Sequence, residues 1–77
     1  MTIYDEIEAE LQRASKWGNP RSGHEAYAIL LEEVEELWAE VRTKQSTPGR
    51  SDRMRKEAIQ VAAMAVKFAE AMLEFTS

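Results

Sequence analysis

The sequence predicts an all-α fold of three helices, at about residues 2–16, 22–43 and 51–75. Three observations predict it. Apolar residues recur at three- and four-residue spacing in three separate segments. Two polar stretches rich in Gly, Pro, Ser and Asn interrupt that spacing. The alternation expected of a half-buried strand occurs nowhere.

The first helix carries Ile3, Ile7, Leu11 and Ala14 on one stripe, and Thr2 with Asp5 forms a weak cap at its start. Trp17-Gly18-Asn19-Pro20-Arg21 ends it, because Gly and Asn favour turns and Pro20 disfavours helix at Asn19. Ser22-Gly23-His24-Glu25 reads as a capping box opening the second helix. Its expected core stripe is Tyr27, Leu30, Leu31, Val34, Leu37, Trp38 and Val41. Gln45 to Arg50 is a loop by composition, after which Ser51 or Asp52 is expected to cap the third helix, which runs to about Phe75. That helix is apolar round most of its circumference, as a central helix or one buried between subunits is.

Composition narrows the functional classes. The 77 residues hold ten Lys plus Arg, fourteen Asp plus Glu, one His and no Cys. One domain is expected, with no disulfide framework and no Cys zinc site. A net charge of −4 provides no basic footprint for DNA or RNA. The acidic N-terminus is unlike a secretory signal, and the most apolar stretch, residues 58–73, contains Gln60, Lys67 and Glu70 and is short for a bilayer. A cytoplasmic protein is expected, with no membrane partner. A chain this small has a marginal core, so oligomerisation is the expected source of added stability.

The acids are unevenly placed. Five of the nine residues from Glu32 to Glu40 are Glu. At about 100° per residue, Glu33, Glu36 and Glu40 gather on one shoulder of the apolar stripe, with Glu32 and Glu35 further round. Two like charges at about 4 Å repel by roughly 1 kcal/mol in water and about 4 kcal/mol at an effective dielectric of 20. A half-buried shoulder therefore favours a cation, and a solvated acidic face is the competing reading. Glu57 falls among Val61, Met64 and Phe68, where a carboxylate is costly unless it is paired, with Arg53 for instance, or ligates a metal. Antiparallel packing of the second and third helices lets Glu33 and Glu36 face Glu57 and Gln60. An all-oxygen set of this kind suits a hard divalent ion such as Mg²⁺.

Leu31-Glu32-Glu33-Val34-Glu35-Glu36-Leu37 resembles the EExxE motif of the MazG-like all-α nucleoside triphosphate pyrophosphohydrolases. Glu57-Ala58-Ile59-Gln60 stands where that superfamily carries ExxD, with Gln60 in place of Asp, and Lys16-Trp17 resembles the segment bordering its nucleotide site. The resemblance spans roughly residues 16–73. It implies a helical-bundle homodimer or homotetramer that cleaves an NTP or dNTP to the monophosphate and pyrophosphate with Mg²⁺, or Mn²⁺ in its place. By position, Glu33, Glu36, Glu57 and Gln60 would hold the ion, and Glu32 would help orient or deprotonate the attacking water. The catalytic set is thus Glu32, Glu33, Glu36 and Glu57.

Trp17, His24, Arg53, Gln60 and Lys67 are the candidate substrate contacts. For His24 an exposed or capping role competes, and for Lys67 a solvated one. Trp38 is expected in the core. Two other functions stay open: a nucleotide-binding protein with little turnover, which Gln60 motivates, and a structural oligomerisation module, which the apolar third helix motivates.

Overall fold

The computed structural model describes residues 1–74, and the expected helix end at Phe75 lies outside them. Helix α1 spans Ile3–Ala14 and runs into a 3₁₀ turn over Ser15–Trp17; α2 spans Gly23–Val41 and α3 spans Arg50–Met72. No strand occurs among the described residues.

Helices α1 and α2 start where a side chain satisfies a free N–H group. Thr2 caps α1 with a complete reciprocal box: its hydroxyl accepts from the Asp5 amide at 3.1 Å, and the Asp5 carboxylate accepts from the Thr2 amide at 2.9 Å. The cap is stronger than its sequence suggests. Gly18, at φ 79°, then turns the chain, and Pro20 is buried beneath it. At α2 the Ser22 hydroxyl accepts from the Glu25 amide at 3.1 Å. The Glu25 carboxylate reaches past the cap and accepts from the Arg21 amide at 3.3 Å.

Helix α3 departs from expectation at its start. Its N-cap is Gly49, at φ 75° and without a side-chain cap, so Ser51 and Asp52 lie inside the first turn. The cause is the loop closure. Arg50 donates to the Thr43 carbonyl at 3.1 Å and the Val41 carbonyl at 2.6 Å, satisfying the end of α2. The left-handed turn at Gly49 brings Arg50 to those carbonyls.

Helix α3 is central. Helix α2 packs antiparallel on it, and α1 packs parallel to it on another side. Arg55 clasps Glu6 through both carboxylate oxygens, and Lys67 donates to the Ala14 carbonyl at 3.0 Å. Those two ties fix the direction of α1. The molecule is elongated, 48 × 27 × 18 Å. Its buried apolar residues are Ala14, Pro20, Ala26, Ile59, Ala63 and Ala71, and no large side chain is fully buried among the described residues.

The α2 stripe corrects the expected core. Ala26 is buried, and Leu30, Glu33, Leu37 and Glu40 are half-buried. Tyr27, Leu31, Val34, Trp38 and Val41 are exposed, Trp38 at 55% with the Arg42 guanidinium 5.7 Å from its ring centre. Of the expected stripe, Leu30 and Leu37 thus lie on the buried seam Ala26-Leu30-Glu33-Leu37-Glu40, and the other five members face away from it. No helix among the described residues is long and apolar enough to cross a membrane.

Candidate metal and ligand site

Glu33 and Glu36 stand one turn apart on α2, and Glu57 faces them from α3. Each offers one carboxylate oxygen, and the three oxygens lie within 4.8 Å of one another. Glu33 and Glu57 are half-buried and Glu36 is exposed, which opens the cluster to solvent on one side.

The electrostatics follow from that crowding. Burial first, then the neighbouring Glu36, pushes Glu33 up to about 7, with Glu57 and Glu32 adding to it. Glu57 is raised by burial, then by Glu36 and Glu40, and Lys56 offsets only part of this. Its Oε2 is buried and has no hydrogen-bond partner. The expected alternative, an ion pair with Arg53, does not form. Arg53 instead donates to Glu40 at 3.0 Å and to the Pro48 carbonyl at 3.0 Å. Arg53 therefore secures the α2–α3 loop, away from the cluster.

Beside the cluster, a cleft of about 490 Å³ opens between the end of α1, the 3₁₀ turn, α2 and α3. Trp17, Lys16, Arg13, Lys67, Gln60 and Glu33 line it. Glu33 thus belongs to both cleft and cluster, and the carboxylates stand at the cleft's rim. Trp17 is 78% exposed, with the Lys16 ammonium 5.6 Å from its ring centre. Lys67 is half-buried, and its bond to the Ala14 carbonyl ties the cleft wall to the end of α1. Gln60 lies beside Glu10, which Arg13 first and Gln60 next hold below the usual carboxylate range against the effect of burial.

The fold brings Trp17, Gln60, Lys67, Glu33, Glu36 and Glu57 into one region. His24 lies elsewhere, exposed beside Gly23, Tyr27 and Phe68. Glu32 is exposed on α2 beside Glu33. The sequence reading passed over Glu10 and Arg13 as cleft residues. Their spacing of three on the last turns of α1, just before the Trp17 break, is the signal that marks them. Comparison with known protein families, curated proteins and solved structures finds no match to this chain.

Proposed function

We propose that this chain is a Mg²⁺-dependent, cytoplasmic nucleoside triphosphate pyrophosphohydrolase that works as an oligomer. The observation that carries the reading is the Glu57 carboxylate, whose buried Oε2 has no partner while two further carboxylates approach it. A buried acid without a partner is costly. Three convergent oxygens, with one exposed member, fit a hard divalent ion that keeps several waters. Glu33, Glu36 and Glu57 would hold it. Bound there, Mg²⁺ or Mn²⁺ would supply positive charge against the phosphates and lower the pKa of a bound water.

The chain's own residues have distinct parts in this reading. Trp17, at the far wall, offers a face for a base to stack on. Lys16 and Lys67 set positive charge along the cleft for a phosphate chain. Glu32, exposed beside the cluster, orients the attacking water. Arg53 is taken up by Glu40 and His24 stands apart, so neither has a part in it. A second reading, nucleotide binding with little turnover, draws support from Gln60, which sits by Glu10 and brings no charge to the cluster.

The deciding assay is pyrophosphate release from a panel of NTPs and dNTPs with Mg²⁺. Glu33→Gln and Glu36→Gln should each lower the rate by roughly 100-fold or more, at or above the loss typical of disturbed metal sites. Glu35→Gln should leave it nearly unchanged. No turnover of any nucleotide at high protein concentration overturns the hydrolase, and recovery of tightly bound, intact nucleotide selects the second reading.

A further inference from the structure

The cleft changes character along its length. Glu10, Arg13, Glu33 and Gln60 stand toward one end. Toward the other, α2 contributes Ile29 and then Ala26, while antiparallel α3 contributes Met64 and then Phe68. There the wall opens into a recess of about 20 Å³, lined by Pro20, Ala26, Ile29, Met64, Lys67 and Phe68. Pro20, Ile29, Met64 and Lys67 line the cleft as well, so the recess is a side pocket of it. Lys67 is the one polar side chain in these walls, and its ammonium is bound to the Ala14 carbonyl at 3.0 Å.

We infer that this recess selects the base. Resting on the nucleotide reading above, the cleft takes nucleotides whose base carries an apolar group of methyl size, and Ala26, Ile29, Met64 and Phe68 read that group. Three features choose the occupant. The first is size: about 10–15 Å³ admits one water-sized group, so a recess of about 20 Å³ holds one methyl. The second is polarity. A bound water needs about two to four polar partners, and Lys67 is committed to Ala14. An apolar group gains from the same walls that offer a water little. The third is position. Ala26 and Glu33 stand seven residues apart on α2, about 10 Å of helix. A nucleotide with its phosphates at Glu33 carries its base to that depth, beside the exposed ring of Trp17.

The recess discriminates in both directions. A base without the methyl leaves it empty and forgoes about fourfold in affinity, the scale of one buried CH₂ group. A base with a bulkier group meets Ala26, which is buried against α3 and cannot move aside. Met64 is half-buried, and its long unbranched side chain closes the recess from α3. None of the six lining residues belongs to the Glu33–Glu36–Glu57 cluster. Choice of base is therefore separable from the acidic end of the cleft, and a variant of the recess alters preference without touching a carboxylate.

The test is calorimetric titration of the full chain with Mg²⁺ and α,β-imido triphosphates, which resist cleavage between those phosphates. The ligands come in matched pairs that differ by one methyl group: thymine against uracil, 5-methylcytosine against cytosine, N6-methyladenine against adenine. At least one pair should favour the methylated member by about fourfold or more. Ala26→Val should fill the recess and bring that ratio to about one. Met64→Ala, which widens the recess without crowding the helix seam, should turn the preference toward a propynyl group at the same ring position. Pairs that bind equally overturn the inference and leave the hydrolase standing, as does a methyl preference that both variants leave unchanged. A methyl preference without turnover of the cleavable nucleotides upholds the recess and overturns the hydrolase. Binding of no nucleotide overturns both.

Discussion

Glu33 of α2 and Glu57 of α3 meet across the central helix pair with carboxylate oxygens within 4.8 Å, and no basic side chain bridges them. Arg53 is drawn to Glu40, about two turns along α2 from Glu33. Two acids therefore share a half-buried seam that helix packing alone would fill with apolar residues.

That arrangement fixes a pH dependence. Glu33 titrates at about 7 in the folded chain against an ordinary 4.5, so between those values the folded state binds the extra proton. Stability is full below about pH 4.5 and falls as the pH rises through 7, since the folded state must then ionise Glu33 beside Glu36. Glu57, raised in the same direction, adds to the fall. Glu6 and Glu10 are lowered and act in the opposite sense, but below this window. Thermal melts in chelator should lose several degrees between pH 5 and 8. Glu33→Gln should flatten the profile, and Mg²⁺ should restore stability at pH 8 in the native chain only. A melting temperature that rises through this window would show that the acids do not crowd one another in solution.

Lys67 joins the cleft to the fold. Its bond to the Ala14 carbonyl satisfies the end of α1 and sets the 3₁₀ turn that presents Trp17. Lys67→Met keeps the aliphatic stem and removes the donor. It should cost about 1.5–3 kcal/mol of stability, the scale of a hydrogen bond from a charged group. It should also broaden or shift Trp17 emission, best read in a Trp38→Phe background. Unchanged emission and melting temperature would mean that the turn holds itself.

Gly49 is the strained point of the α2–α3 loop. It adopts φ 75°, and a Cβ there would lie 3.1 Å from the Arg53 guanidinium. Gly49→Ala should destabilise by roughly 1–2 kcal/mol, from the left-handed backbone cost. It should also loosen the Arg53–Glu40 pair. Gly18→Ala provides a comparison, because Gly18 shares the positive φ but has nothing within 4 Å of its Cβ position. Gly18 stands at ψ 177°, a region essentially closed to other residues, against ψ 6° at Gly49. The Gly18 change should therefore be the larger in urea unfolding, and a larger loss at Gly49 would assign the excess to the contact with Arg53.

Local chemistry made much of this legible in advance. The spacing of Ile7, Leu11 and Ala14 marks α1, Ser22 and Glu25 mark the start of α2, and the breaks at Gly18–Pro20 and Pro48–Gly49 set the three elements. Glu33, Glu36 and Glu57 could be singled out because Glu57 falls inside an apolar arc and the other two share a face at helical spacing. Such features depend on neighbours three or four residues away, which the sequence displays directly.

The rotation of α2 was not legible. Two adjacent seams run along it, Ala26-Leu30-Glu33-Leu37-Glu40 and Tyr27-Leu31-Val34-Trp38-Val41, each at intervals of 4, 3, 4 and 3 residues. Hydrophobicity favours the second for the core. Packing on α3 selected the first: Ala26 permits close approach, and Arg53 and Arg50 on α3 bind Glu40 and the carbonyls ending α2. That choice exposed Trp38, engaged Arg53 and left Glu57 facing two acids. The sequence by itself determined three amphipathic helices and the identity of the clustered carboxylates, because periodicity is local. Tertiary structure decided which seam is buried and which is left open, because that depends on the size and charge of side chains far away in the chain.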